Sequence, residues 1–279
     1  VSLKPLIPKD EDIVEEELII NKPEVTEMKR NSVPRLSHTQ VSMFLRCPRQ
    51  YMFRYLEGIK LPPAGAMIQG SAYHSAIEYG YKTKLNTNTE PSVDLVKEVA
   101  NQAWIDKLSE ETDIVWGGHP GKLKDQMIVL VEKYVSETMP LIIPKSVEDK
   151  EVVYIEDIPF VRVRDLLTKD GVVVDHKLSK KKYSVNQKYS DLQSLAYLYP
   201  DGGKFNYHVA VKKNHPEVQV IDFSRTKDEI DWWVSMVKMI AKQIALGVFP
   251  PNPTGWSCNP TWCGYFDICR GKNRRSFKI

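Results

Sequence analysis

The sequence predicts a mixed α/β fold, with a central sheet flanked by helices, a mainly helical part before it and a cysteine-rich loop after it. Three observations carry this. Apolar residues recur at helical spacing from Ser37 to about residue 138, β-rich runs begin near residue 150, and a capped amphipathic helix starts at Thr226. With 279 residues and 42% hydrophobic composition the chain can bury a sizeable core, which excludes a disordered protein.

In chain order, residues 1–33 crowd Asp10, Glu11, Asp12, Glu15, Glu16 and Glu17 among Pro5, Pro8 and Pro23, and read as a flexible acidic extension. Residues 34–279 read as one domain: a mainly helical part (34–148), a sheet core (149–249), and a cysteine-rich loop with a basic tail (250–279). Ser37-His38-Thr39-Gln40 reads as a capping box, with Val41, Phe44 and Leu45 at helical spacing behind it. Pro48 suits the first turn of a second helix carrying Tyr51, Phe53, Tyr55 and Leu56, which Gly58 and Pro62-Pro63 should end. A third helix is expected from about Ala66 to Tyr81. Residues 92–138 are again mainly helical, broken by a loop at Gly117-Gly118-His119-Pro120-Gly121.

At residue 150 the pattern changes. Val152, Tyr154 and Ile155, then Phe160 to Leu167, then Val172 to Val174 read as consecutive strands, punctuated by Pro159 and Lys169-Asp170-Gly171. Asp191 to Tyr199 reads as a helix, and Tyr207 to Lys212 and Val218 to Phe223 as two more strands around the turn Asn214-His215-Pro216. Thr226-Lys227-Asp228-Glu229 is a second capping box, and Ile230, Trp233, Val237, Ile240 and Ile244 mark one apolar helix face.

The formal charge of +3 is too small to announce a nucleic-acid partner, so any such binding must come from local patches. No apolar run approaches the roughly 20 residues of a bilayer span, and a basic-then-apolar leader is absent, so a cytoplasmic protein is expected. Four cysteines make a poor disulfide framework for this length and point to metal binding or redox chemistry.

Chemistry concentrates at two strand ends, Asp165 and Asp175-His176-Lys177. Side chains alternate along a strand, so Asp175 and Lys177 share a face with His176 opposite, and a hairpin would bring Asp165 near. Two carboxylates, with the His176 backbone carbonyl, are the hard oxygen donors that Mg²⁺ or Mn²⁺ prefers, and Lys177 would position or activate water. The same spacing also fits a surface hairpin with an Asp175–Lys177 ion pair. Apolar strands ending in acids favour the site, because such charges need a partner or a metal.

Asp165 followed by Asp175-x-Lys177 resembles the PD-(D/E)XK nuclease superfamily, and specifically its RecB-like exonuclease branch, which includes CRISPR-associated and phage enzymes. The similarity spans roughly residues 36–270. Gly70-Ser-Ala-Tyr-His74 resembles the branch's helix with a metal-binding histidine, with Glu78 one turn further on. Gln193-Ser-Leu-Ala-Tyr197 resembles its Gln-x-x-x-Tyr helix, and Cys47-Pro48-Arg49-Gln50-Tyr51 its first helices. The resemblance implies a restriction-endonuclease-like fold and one or two Mg²⁺ or Mn²⁺ ions on His74, Asp165, Asp175 and the His176 carbonyl. It further implies that Gln193 and Tyr197 meet the DNA strand or orient Lys177. Arg162 stands where the family usually has a glycine, three residues before Asp165.

Cys258, Cys263 and Cys269 fall within twelve residues of one another, and Cys47 lies far upstream. On spacing alone a four-cysteine zinc site fits these ligands. The resemblance implies a 4Fe-4S cluster instead, structural in role, that pins the C-terminus to the first helices. Lys180, Lys181 and Lys182 follow the Asp-x-Lys strand directly, and Arg270, Lys272, Arg274, Arg275 and Lys278 crowd the C-terminus; both groups suit phosphates. Together these readings imply a metal-dependent DNA exonuclease. Its partners would be DNA, single-stranded or with free ends, and recombination proteins; its setting would be recombination, repair or phage DNA processing. The alternatives are a non-catalytic DNA-binding scaffold of the same fold, which Arg162 favours, and a zinc-stabilised interaction domain.

Overall fold

A computed structural model describes residues 35–271; the acidic stretch 1–33 and the basic residues from Lys272 onward lie outside the described residues. The chain opens with a short strand β1 (Leu36–Ser37) and helix α1 (His38–Arg46), followed by α2 (Pro48–Tyr51), which runs on into a π-helical turn (Met52–Leu56). Three longer helices follow, α3 (Gly65–Thr87), α4 (Val93–Glu110) and α5 (Pro120–Lys133), the last continued by a second π-helical turn (Tyr134–Thr138). Three strands come next, β2 (Pro144–Ile155), β3 (Ile158–Thr168) and β4 (Val173–Ser179). Short helices α6 (Gln187–Ser190) and α7 (Gln193–Leu198) lead to β5 (Gly203–Val211), β6 (Glu217–Arg225), α8 (Lys227–Ala245) and α9 (Phe266–Arg270).

Ser37 Oγ accepts from the Gln40 N–H, one half of the expected capping box, and Thr226 with Glu229 forms a complete one. Several elements differ from expectation in length, among them β5, which begins at Gly203 rather than Tyr207, and α7, which is shorter at both ends. α3 continues past Tyr81 to a left-handed cap at Asn88, where the Lys84 ammonium reaches the Met139 carbonyl. β2 begins at Pro144 rather than near Val152, because its first half is charged (Lys145, Glu148, Asp149, Lys150), as an edge strand permits. β4 runs on through its charged residues to Ser179, and the two-residue β1 carries too little pattern to be seen in sequence.

The six strands form one mixed sheet in the order β1-β3-β4-β5-β6, with β2 on the far edge of β3. β4 and β5 are parallel, and β3–β4 and β5–β6 antiparallel. Helices cover both faces, so alternate strand residues feed two separate cores. On one side Phe44, Tyr51, Leu195, Phe205 and Ile240 pack around Trp233, whose ring meets the edge of Phe160 at 5.2 Å. On the other side Tyr73, Tyr81, Trp104, Leu130 and Tyr134 from α3, α4, α5 and the second π-turn pack on Leu166, Val174 and Ala210. Among the described residues no helix is long and apolar enough to cross a membrane.

Candidate functional site

The site lies where the sheet forks. One edge of β3 pairs with β2; the other is shared, β1 binding at Phe160–Val161 and β4 only at Leu166 and Leu167. Beyond those two pairs β3 and β4 part. The His176 N–H therefore donates to Asp165 Oδ2, at 2.8 Å. Asp175 and Lys177 share one face of β4, with Lys177 Nζ 2.6 Å from Asp175 Oδ2 and 2.9 Å from Gln193 Oε1. Gln193 Nε2 donates in turn to Asp175 Oδ1. From α3, His74 brings Nδ1 to 3.3 Å from Asp165 Oδ2. His74, Asp165, Asp175, Lys177 and Gln193 are thus brought together, while Glu78 pairs with Lys82.

Tyr197 lies one helical turn after Gln193, buried, its ring edge-on to His38. α7, which carries both, has six residues, too few to hold a helix alone. Two buried arginines hold it. At its start Asp191 accepts from the N–H groups of Gln193 and Ser194, and Arg225 binds the Asp191 carbonyl and Ser194 Oγ. At its end Arg162 donates to the carbonyls of Tyr197 and Tyr199 and pairs with Glu151 at 2.7 Å. The arginine in the usual glycine position is thus a fastener for the Gln-x-x-x-Tyr helix.

Burial and charge divide the carboxylates. Burial alone would raise the Asp165 pKa, but N–H groups of His176 and His74 outweigh it and hold the carboxyl well below its ordinary range. Asp175 is almost fully buried, and that burial pushes it up to about 7 although Lys177 opposes the shift. Burial disfavours the Lys177 ammonium, yet the Asp175 charge wins and raises its pKa. His74 likewise is raised, Asp165 outweighing burial.

Two residues near the site escaped sequence reasoning. Glu148 on β2 places a carboxylate oxygen within 4.8 Å of donor atoms of His74 and Asp165. It sits across from Asp165, between the pairs Val147–Leu166 and Asp149–Arg164, with φ +50. That backbone is uncommon for a non-glycine residue and is often met at functional sites. Burial, then Asp165 and Glu78, push its pKa to about 7. Only strand register could have singled it out, since Asp149 and Glu151 are equally acidic neighbours. The other is His38, the first residue of α1, whose pKa burial and then Lys177 lower to about 4 and whose Nδ1 is buried without a partner.

Lys180, Lys181 and Lys182 lie exposed past the end of β4. Lys182 shares Glu217 with Lys213, at 2.9 and 2.8 Å; Lys180 and Lys181 have no ion-pair partner among the described residues.

A second cluster of donors stands apart in composition. Cys47, Cys258, Cys263 and Cys269 line one small cavity, walled also by Phe53 and Phe266. Cys263 is buried and accepts from Gln50 Nε2 at 3.2 Å, and Cys47 accepts from the Asn252 N–H at 3.4 Å. All four are free thiols. Among the described residues, no three of these sulfurs gather within 4.8 Å of one another. Trp256 and Trp262 pack on each other near this loop but are themselves exposed.

A central mixed sheet covered by helices, with Asp165 and Asp-x-Lys at a strand fork, is the architecture of one nuclease class. The chain belongs to the PD-(D/E)XK nuclease superfamily, whose family model matches residues 35–270. Members generally use Mg²⁺ or Mn²⁺, and His74, Glu148 and Asp165 make a donor group of matching chemistry. The crystal structure of a candidate exonuclease from Eubacterium rectale has a similar fold, with TM-score 0.57 and 14% identity over 88% of this chain and 90% of that one. The structure of SSO0001 aligns over 84% of this chain and 96% of that one at 13% identity, with a TM-score of 0.32 that says nothing of the fold. No curated protein matches the sequence.

Proposed function

We propose that the chain is a metal-dependent deoxyribonuclease of the RecB-like branch, an exonuclease that hydrolyses phosphodiester bonds from DNA ends, with residues 34–279 as its nuclease domain. The observation that carries this is the joining of Asp175, Lys177 and Gln193 in one hydrogen-bonded unit beside Asp165 and His74. The donor set fits a hard divalent cation: Asp165, Asp175, Glu148, His74 and the His176 carbonyl offer oxygen and imidazole donors, and Asp175 Oδ2 is a deeply buried acceptor. Mg²⁺ or Mn²⁺ held there would polarise the scissile phosphate and lower the pKa of the attacking water.

The chain's own groups do the rest. The Lys177 ammonium, kept charged by Asp175, holds the water and meets the charge that develops on phosphorus. Gln193 bonds Lys177 and Asp175 at once and so fixes their separation, while Tyr197 and the exposed Lys180 and Lys181 meet the DNA strand. The non-catalytic alternative drew on Arg162, and the use of that guanidinium by Glu151 and α7 accounts for the residue.

The four thiols are proposed to hold a 4Fe-4S cluster of structural role. Soft sulfur donors in an apolar-walled cavity fit either iron or zinc. The preference for the cluster rests on the likeness to iron-sulfur members of the RecB-like branch, since tetrahedral zinc takes the same four thiolates. The setting proposed is recombination, repair or phage-type DNA processing.

The test is to incubate end-labelled single- and double-stranded DNA with Mg²⁺ or Mn²⁺, beside Asp175→Ala and Lys177→Ala. Metal-dependent loss of nucleotides from the ends, absent in both variants, is expected. DNA binding without cleavage would return the scaffold reading. A brown protein with iron and sulfide supports the cluster, and a colourless one with zinc overturns it.

A further inference from the structure

β4 turns His176 away from Asp175 and Lys177, into the helical layer on the opposite face. There Tyr134 Oη lies 2.8 Å from His176 Nε2, 2.7 Å from His208 Nδ1 and 2.9 Å from Tyr81 Oη. All four side chains are buried, among Tyr73, Leu130, Val174 and Ala210. Apolar side chains of similar shape could fill such a layer at little or no loss of stability. The network has one outlet to the site: the His176 ring, whose Nδ1 is 3.5 Å from Asp165 Oδ2.

We propose that His176, Tyr134 and His208 form a positioning relay that fixes the Asp165 carboxylate from behind, so that one of its oxygens is committed to the protein and the other presented to a cation. The inference rests on the reading of Asp165 as a metal ligand. Proton counting gives the relay a direction. A bare ring nitrogen facing a carboxylate would be repelled, so His176 carries its proton on Nδ1 and Nε2 accepts from Tyr134. Tyr134 has one proton and has now given it, so it accepts from Tyr81 and from a proton on His208 Nδ1. His208 Nε2 is then a bare acceptor, and it is the ring atom found buried without a partner. The reverse assignment would bury an unpaired N–H there, the costlier orphan, and would turn a lone pair toward Asp165. Both ends therefore select the same direction.

The result at the site is one-sided. The His176 N–H, the His176 ring and His74 all address Oδ2, and among the described residues none of these contacts falls on Oδ1. Tyr134 and His208 touch no reacting atom; they act through His176.

Two measurements test this on the full chain. In the metal-free protein with ¹⁵N-labelled histidine, the imidazole nitrogen shifts should report Nδ1–H for both His176 and His208; an Nε2–H tautomer at His176 would overturn the relay. Calorimetric titration with Mn²⁺ should show a 10- to 100-fold loss of affinity for Tyr134→Phe, as for other partners behind a metal ligand. KM for DNA at saturating Mn²⁺ should not change. His176→Asn, which keeps an N–H donor near the Nδ1 position, should bind Mn²⁺ more tightly than His176→Leu even where both melt at the same temperature. Equal affinity for wild type and Tyr134→Phe, or for the two His176 variants, overturns the proposal. Failure of the wild type to bind Mn²⁺ counts instead against the metal-site reading, and the tautomer measurement still decides the relay.

Discussion

The fork between β3 and β4 draws its donors from the central sheet and the long helix α3, whereas the cysteine cavity joins segments more than 200 residues apart through contacts to sulfur, two hydrogen bonds (Tyr265 to Ile59, Asn252 to Arg46) and a small cluster around Phe53, Cys263 and Tyr265. At the fork polar side chains are tied into a triad and a pair: Asp175 to Lys177 and Gln193, Asp165 to His74 and to the His176 N–H. In the cavity Cys263 is buried, Cys269 exposed, and the walls are largely apolar. On the proposed reading of both as metal sites, the difference is one of timing. A site braced by its own hydrogen bonds exists before its ion arrives, while a site of converging loops is completed by what it holds, so its ligand energy is folding energy.

That contrast is open to direct attack. Cys263→Ala should have the largest effect, removing most of the soluble, folded protein along with its activity, as read by soluble yield and circular dichroism; undiminished yield and melting temperature would count against a structural centre. Lys177→Ala should leave a folded chain and lower cleavage at saturating metal on the order of 10²- to 10³-fold. If it instead unfolds the protein as Cys263→Ala does, the two regions are not built differently. Glu148→Gln removes a charge but not the shape, and should weaken Mn²⁺ binding about tenfold while keeping the tertiary fold. An unchanged calorimetric isotherm would remove Glu148 from the site.

pH sharpens the comparison further. Asp175 and Glu148 are both raised to about 7, so the metal-free folded chain holds protons there that the unfolded chain, with carboxyls near 4, has released. Their contribution to stability therefore falls as pH rises from about 4 to about 7. Asp165 is lowered, so its contribution is full above about pH 4 and lost only below it. A bound cation must displace the two protons, and the rise in melting temperature on adding Mn²⁺ should be greater at pH 8 than at pH 6. A rise that shrinks with pH is the contrary result. The smallest effect is expected at the lysines: Lys180→Ala should reduce the salt dependence of DNA binding by about one unit of slope. Lys182→Ala should do less, because Glu217 already balances that charge.

Much of this was legible in the sequence, for identifiable reasons. Capping residues and apolar periodicity located α1 and α8, and alternation placed Asp175 and Lys177 on one face, because these are local properties of the chain. Glu148 was not legible, since its role follows from the register of β2 on β3. β2 itself was half hidden, its edge position permitting charges where a buried strand would not. Arg162 looked like a defect at the usual glycine position; its partners Glu151, Tyr197 and Tyr199 are brought to it only by folding. His38 carried no local sign of its closeness to Lys177 and Tyr197.

The parting of β3 and β4 after two pairs leaves a seam where the sheet has not used up its own bonding capacity. Any change that closed the seam, such as a β-branched residue in place of Asp165 that let the strands zip further, would make a better sheet and a poorer enzyme. Selection for heat resistance alone should therefore drift toward sealing this position, and selection for cleavage should hold it open. The fork is a fault line at which the two demands pull in opposite directions.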